Sequence, residues 1–179
     1  HYTLKNPRQY GIKEKELSFG DFRSDAIKKE YQNIRGYLSA LQNVDRKNLS
    51  KSNQLTYDIL ELYFKTELTA EPYILYEEPL GATIGIQAQL PVLLAEYRFE
   101  TKKDIKEYLN LMQKLPNYYR MLAEFEEEKA ASGLFMSDRS LEHILQQCQE
   151  FIGDIKSNYL LEVFDWKIDR FTNLTEEEK

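Results

Sequence analysis

The residues that could support catalysis or metal binding are few and scattered. The chain has two histidines, His1 at its start and His143 in a predicted helix, and a single cysteine, Cys148. A zinc site needs His, Cys or carboxylate ligands at close spacing, and the sequence contains no His-Glu-x-x-His motif and no Cys/His cluster. We therefore assign no catalytic residue and no metal ligand, and we expect no cofactor in this chain.

The remaining polar groups have plainer explanations. Glu77 and Glu78 are adjacent, so on a strand they would point to opposite faces and could not act as an acid/base pair. The acidic run 126–128 would diverge around a helix and could not converge on one metal. We interpret His143 as a helix-surface residue and Cys148 as a small buried thiol.

The candidate binding segment lies in the nearly uncharged stretch 80–101. Residues 83–90 alternate, which predicts an extended strand with Ile84 and Ile86 in the core. The pattern by itself favours a half-buried edge strand. The alternative is a strand whose free edge and polar face line a cleft and receive an extended peptide. In that case the substrate-binding residues would be Thr83, Gly85, Gln87 and Gln89, and both glutamines would be accessible.

Amphipathic helices account for most of the first half of the chain. One is capped by Asp21 or Ser24 and continues to about residue 43. Ser50 caps a second helix, whose buried face would be Leu55, Ile59, Leu62 and Tyr63. The short segment 73–78 would pair with residues 83–90 as a small β-ribbon.

The second half also reads as helix. Thr101 and Asp104 form a capping-box pattern, Pro116 is expected to break or kink the pattern and begin another helix, and Gly133 provides a C-terminal cap. Ser137 or Asp138 caps the next helix. We therefore predict a mainly α protein, an antiparallel helical bundle of about five to six helices with a small β-ribbon or edge strand near residues 73–90. Residues 1–20 would form an irregular arm, 21–171 a single helical domain and 172–179 a polar tail.

Composition restricts the partners. The 24 Lys and Arg residues are outnumbered by 30 Asp and Glu residues, which gives a net charge of -6 and makes nucleic acid an unsuitable partner. No apolar run is long enough to span a bilayer. The closing helix would leave an apolar surface partly uncovered and support weak self-association. That surface would consist of Leu160, Phe164, Trp166 and Phe171.

A series of glycine, proline, apolar and polar residues follows from position 85 onward in a recognisable order: Gly85, Gln87, Leu90, Pro91, Leu93, Leu94, Phe99, Thr101, Asp104, Tyr108, Leu109, Leu115, Pro116, Tyr118 and Gly133. This order resembles the N-terminal half of the bacterial "domain of unknown function 885" (DUF885) family. Residues 49–50 and 57–60 are similar to that family's second helix.

The resemblance implies a relationship to helical zinc metallopeptidases of the gluzincin kind, often exported or lipid-anchored in bacteria. Their His-Glu-x-x-x-His-like motif lies beyond the matched region, so no metal or catalytic residue transfers to this chain. The chain would then be a non-catalytic, substrate-covering N-terminal part of a zinc peptidase, with a peptide or the C-terminal half as its partner. With the resemblance, the cleft interpretation of residues 83–90 becomes as strong as the packing one. The alternative function is a self-contained helical module that binds a peptide or protein and has no enzymatic activity.

The small number of residues that could bind a metal or act in catalysis leads to the first prediction. The 179-residue chain should hold no stoichiometric zinc and should hydrolyse no peptide, because it lacks a ligand constellation. Elemental analysis after dialysis and a peptide-cleavage assay check this. One tightly held zinc per chain would contradict it.

Overall fold

The structure is a computed structural model that describes residues 18–172 and 174–175. Within these residues the protein is mainly helical, as predicted, with six α-helices. They are α1 (Ser24–Gln42), α2 (Lys51–Ala70), α3 (Ile86–Glu96), α4 (Lys102–Ala131), α5 (Asp138–Phe151) and α6 (Tyr159–Arg170). Short 3-10 helices occur at Arg46–Asn48, Glu71–Tyr76 and Ile155–Ser157.

The predicted β-ribbon is wrong, since the described part of the chain contains no strand. The segment expected to be its first strand belongs to the 3-10 helix Glu71–Tyr76, which begins with Pro72 near its N-terminus. The segment expected to be its second strand is a turn followed by α3, and Gly85 is the N-cap. The alternating pattern predicted a strand, but Gln87, Leu90 and Leu94 also lie on one face of a helix. Burial of that face favours the helix over the strand.

The described residues form two compact units. The unit that we call the hairpin unit comprises residues 21–78 and 120–135, and the unit that we call the α3 unit comprises residues 18–20, 79–119, 136–172 and 174–175. The predicted domain bounds stay predictions. Residues 1–17 of the predicted arm, and residues 173 and 176–179 of the predicted tail, lie outside the described residues.

In the hairpin unit, α1 and α2 pack against each other after a short connection. The predicted cap of α2 is confirmed, because the Ser50 hydroxyl accepts a hydrogen bond from the Asn53 N–H at 3.3 Å. In the connection, Arg46 donates two hydrogen bonds to the Asp58 carboxylate, each 2.6 Å long. This bidentate pair fixes the start of the hairpin, although its exposure limits its contribution to stability.

The α3 unit has its own apolar core. Ile105 of α4 lies with Ile168 and Phe171 at the end of α6. Around them, the Tyr108 and Phe164 rings stack with centroids 5.6 Å apart. The predicted capping box at the start of α4 is confirmed, since Asp104 accepts from the Thr101 N–H at 2.7 Å and Thr101 Oγ1 accepts in return at 3.4 Å.

Lys167 of α6 donates hydrogen bonds to backbone carbonyls at the C-terminal end of α3. Its Nζ donates to the carbonyl oxygen of Tyr97, at 2.6 Å, and to that of Ala95. These are carbonyls that a helix C-terminus leaves without an intrahelical partner. Burial lowers the pKa of Lys167, and the nearby Glu96 opposes that shift.

The expected break at Pro116 is wrong, because α4 continues through it to Ala131. Proline removes one backbone hydrogen bond, and the burial of Leu111, Tyr118 and Leu122 on either side holds the helix together. The predicted C-terminal cap is confirmed: Gly133 has a φ of +75°, and the Leu134 N–H bonds the Lys129 carbonyl. No helix in the described ranges is long and apolar enough to cross a bilayer.

The best-buried aromatic residue generates the second prediction. Phe125 is 1% exposed, so Phe125→Ala should reduce the free energy of unfolding by about 3–5 kcal/mol through lost burial and a residual cavity. Phe135 is 74% exposed, so Phe135→Ala should change it by less than about 0.5 kcal/mol. Urea unfolding followed by circular dichroism measures both. Equal effects would contradict this assignment of the core.

Candidate functional site

The candidate site is the turn that leads into α3, at residues 79–85. The Gly85 N–H donates to the Gly81 carbonyl at 3.1 Å, and the Ile86 N–H donates to the Pro79 carbonyl at 2.9 Å. These bonds close the turn on itself and use backbone donors that the start of a helix would otherwise leave free. The sequence signal for such a turn is the pair of glycines, Gly81 and Gly85.

Glycine is required at position 85 because neighbouring atoms come very close to its Cα atom. A Cβ atom at this position would lie 2.1 Å from Gln87 Oε1 and 2.2 Å from the Gly81 backbone nitrogen. The side chain of Gln87 could move, but the backbone nitrogen could do so only by opening the turn. Glycine is therefore the residue type that this turn accepts.

Two glutamines hold the turn from inside, and we call them the amide latch. Gln87 Nε2 donates to the Gly81 carbonyl at 2.6 Å and to Gln147 Oε1 at 2.9 Å. Gln147, on α5, donates in turn to the Ala82 carbonyl at 2.9 Å. The latch supplies donors to two turn carbonyls that face the protein interior.

The latch leaves one acceptor unused. Gln87 is 8% exposed, and its Oε1 is buried without a hydrogen-bond partner in the described structure. That atom lies against Gly85, in the space that a Cβ atom would occupy. Burying a carbonyl oxygen without a partner costs free energy, so the two donated bonds must offset it.

The predicted site residues do not share one surface. Thr83 and Gln89 are exposed, as expected, whereas Gly85 and Gln87 are buried, and the expectation that both glutamines would be accessible is wrong for Gln87. Ile84, expected in the core, is 76% exposed, and Ile86 is half-buried. The cause is the turn-to-helix geometry, in which side chains no longer alternate between two faces. A substrate-binding role for these residues stays a prediction.

Sequence reasoning missed Gln147. It lies three residues after the buried Ile144 and therefore on the same side of α5. Its position on that face was available as a signal, but nothing in the sequence connects it to a turn 65 residues earlier. The other candidate residues of this helix are less prominent: His143 is exposed, and Cys148 is half-buried with its thiol pKa raised by burial.

A second candidate surface lies in the hairpin unit, on the side of α2 that faces solvent. The residues predicted to be its buried face are exposed by 54% to 68%, so that expectation is wrong. The side of α2 with reduced exposure instead carries Tyr57, Phe64 and Leu68. We call the exposed stripe the α2 face; it consists of Leu55, Ile59, Leu62, Tyr63 and Thr66.

The hairpin unit also buries a charge. Lys129 is 1% exposed, and its Nζ lies 2.6 Å from the Glu77 carbonyl oxygen and 3.1 Å from the Glu78 carboxylate. Glu126 is 3.7 Å away; burial raises the pKa of Glu126, and Lys129 partly offsets that shift. Every described partner of this ammonium group is an acceptor, so the cluster anchors the segment after the 3-10 helix rather than offering a free nucleophile.

A charged cleft of about 250 Å³ lies near the start of α1. Within it the Ser24 hydroxyl donates to the Glu128 carboxylate at 2.5 Å, which ties α1 to the last part of α4. Two of its other groups are paired along the chain, Arg23 with Asp21 and Glu124 with Arg120. The lining residues are Arg23, Ser24, Asp25, Lys28, Glu124 and Glu128.

No three His, Cys, Asp or Glu side chains converge as metal ligands in the described ranges. The residues that the structure describes therefore do not fit the zinc ion that the resemblance implies. The expectation that this chain holds no cofactor stays a prediction.

The closing helix only partly matches its expected role as an apolar surface. Leu160 and Phe171 are buried and Phe164 is half-buried, whereas Trp166 is 52% exposed with the Arg170 guanidinium 4.0 Å from its ring centroid. Buried side chains cannot form a free surface, so Trp166 is the most exposed of the four residues expected to form it.

These observations define a helical protein with a glycine turn held by buried amides. The sequence matches the family model described as "Bacterial protein of unknown function (DUF885)" over residues 7–178. Since the match covers nearly the whole chain, the protein belongs to the DUF885 family. Searches of curated proteins and of solved structures give no match.

The amide latch generates the third prediction. Gln87→Leu should reduce the free energy of unfolding by about 1–3 kcal/mol, because Gln147 Oε1 would lose its donor and the Gly81 carbonyl would keep only the Gly85 N–H. Gln89→Leu changes the same residue type at an exposed position and should stay within about 0.5 kcal/mol. Denaturant unfolding of both variants provides the comparison. A Gln89 variant as unstable as the Gln87 variant would rule out the latch.

Proposed function

We propose that this DUF885 chain is a non-catalytic, substrate-covering N-terminal part of a metallopeptidase-like bacterial protein. The turn at residues 81–85 is the element that faces the substrate. The observation that carries the proposal is the exposure of Thr83 and Ile84 on a turn fixed from behind by the amide latch.

The turn is suited to bind a peptide because internal hydrogen bonds hold it in place and it is uncharged. No charged residue lies between Leu80 and Ala95, so the surface would contact apolar side chains and neutral backbone. A contact element that is already ordered avoids the entropy cost of immobilisation on binding. Ile84 supplies the apolar contact at its tip.

The backbone of the turn tip adds polar capacity. The Gly81 and Ala82 carbonyls are occupied by the latch, whereas Thr83 and Ile84 make no hydrogen bond within the described structure. Their N–H and C=O groups could pair with the backbone of an extended peptide, as in strand addition. The peptide would then meet two backbone units and one apolar side chain, and it would do so without a strand in this chain.

The zinc ion and catalytic groups in this proposal belong to another part of the protein, because the described residues provide no ligand set. The gluzincin-like relationship, the peptide substrate and the exported or lipid-anchored bacterial setting rest on the family resemblance. Reading the encoding gene past Lys179 tests them directly. A His-Glu-x-x-x-His-like motif downstream supports the proposal, and a stop codon directly after Lys179 overturns it.

The fourth prediction tests the turn in the complete protein. Ile84→Ser should weaken peptide binding about three- to tenfold, because an apolar contact is lost. Ile155→Ser is the matched control: Ile155 belongs to the same α3 unit and is 78% exposed, against 76% for Ile84. Both variants should leave the free energy of unfolding within about 0.5 kcal/mol. Fluorescence anisotropy with a labelled peptide measures the affinity, and equal affinities for the two variants would exclude the covering role of the turn.

A second candidate function is a self-contained helical module that binds a protein and has no enzymatic activity. The α2 face favours it, because four large apolar side chains stand more than half exposed along one helix. Surfaces of this kind mark protein-binding sites in soluble proteins.

A further inference from the structure

We infer that the α2 face binds the same face of a second copy of this chain, with the two helices antiparallel. The inference rests on the second candidate function, in which the chain acts by protein binding. It is independent of the covering role of the turn.

The first argument is the shape of the face. From Leu55 to Ala70, over about four helical turns or roughly 24 Å, the α2 face itself contains no charged residue, and the exposed Asp58 and Lys65 lie to one side of it. Its residues recur at spacings of four, three and four, at positions 55, 59, 62 and 66. This is the spacing of a two-helix seam, in which side chains of one helix fit between those of the other.

The second argument is that the face is complementary to itself. A two-fold axis between Ile59 and Leu62 brings Ile59 of each copy against Leu62 of the other. The next layer on either side brings the large Leu55 against the small Thr66. Large side chains therefore meet small ones at the ends and fill the centre, so two copies can interdigitate.

The third argument is charge. Asp58 and Lys65 lie on one flank of the α2 face, and the same two-fold places Asp58 of each copy beside Lys65 of the other. Both side chains are about half exposed, at 49% and 55%, and remain accessible to a partner. A parallel pairing would place each of them beside the uncharged opposite flank, at Tyr63 or Ala70. The charges therefore select the antiparallel orientation, while apolar burial provides the affinity.

Intrahelical and hairpin contacts already orient these two charges. Asp58 is held by Arg46 at 2.6 Å, and Lys65 lies 2.9 Å from Glu61 of its own helix. A carboxylate accepts more than the two bonds that Arg46 supplies, so a second cation can be added. One helix from each copy buries less area than a standard stable interface, so we expect a weak, reversible dimer.

Sedimentation equilibrium of the 179-residue chain, from micromolar to millimolar concentration, tests the inference. We expect a reversible monomer–dimer equilibrium for the unaltered chain and a monomer throughout for Ile59→Asp. Far-UV circular dichroism should show unchanged helix content, because Ile59 is exposed. If the unaltered chain stays monomeric at every concentration, the inference is overturned. That result would not affect the covering role of the turn, which Ile84→Ser tests separately. A dimer unaffected by Ile59→Asp overturns it as well.

Charge exchange tests the antiparallel register. Lys65→Glu should raise the dissociation constant of the dimer about tenfold, since two attractive pairs become repulsive. Adding Asp58→Lys should restore dimerisation by reversing both partners. Lys51→Glu makes the same charge change at the start of α2, where the register places the uncharged Ala70 of the partner helix, and should leave the constant unchanged. Failure of the double variant to recover, with its helix content intact, would overturn the antiparallel pairing.

Discussion

The close approach of Gln87 to the glycine turn is the constraint on which the candidate site depends. Gly85 has no room for a Cβ atom, because Gln87 Oε1 and the Gly81 nitrogen occupy that space. This lets a long polar side chain enter the protein and bond the turn carbonyls from within. The turn, the start of α3 and the contact with α5 through Gln147 therefore form one arrangement, and the tip at Thr83 and Ile84 is presented outward as its consequence.

In both units a long side chain donates hydrogen bonds to backbone carbonyls at turns and helix ends. In the α3 unit, Gln87 and Gln147 bond the turn, and Lys167 bonds the last carbonyls of α3. In the hairpin unit, Lys129 bonds the Glu77 carbonyl. A buried carbonyl without a donor is costly, so these side chains stabilise irregular backbone that no helix or sheet could satisfy. The buried Gln87 and Lys129 therefore have a structural role as donors to backbone carbonyls.

Both proposed functions rest on apolar surface that remains exposed. The hydrophobic effect makes an uncovered stripe such as the α2 face unfavourable in water, and binding relieves that cost. Ile84 is a smaller case, a single apolar tip on a rigid turn. The two surfaces differ in kind, and so do the partners proposed for them: a helix of similar length for the α2 face and an extended peptide for the turn. The two proposed roles follow from that difference.

The sequence by itself determined the helical class, most helix boundaries and the family. Caps at Ser50, Thr101 and Gly133 are local, because the groups that bond are only a few residues apart, and such signals survive in any tertiary context. Tertiary structure decided which apolar stripe is covered and which alternating segment becomes a helix. Periodicity shows that a face is apolar, but the partner that buries it comes from elsewhere in the chain. Gln147 illustrates the limit: its bond to Ala82 joins residues 65 positions apart, and no local pattern encodes a contact of that range.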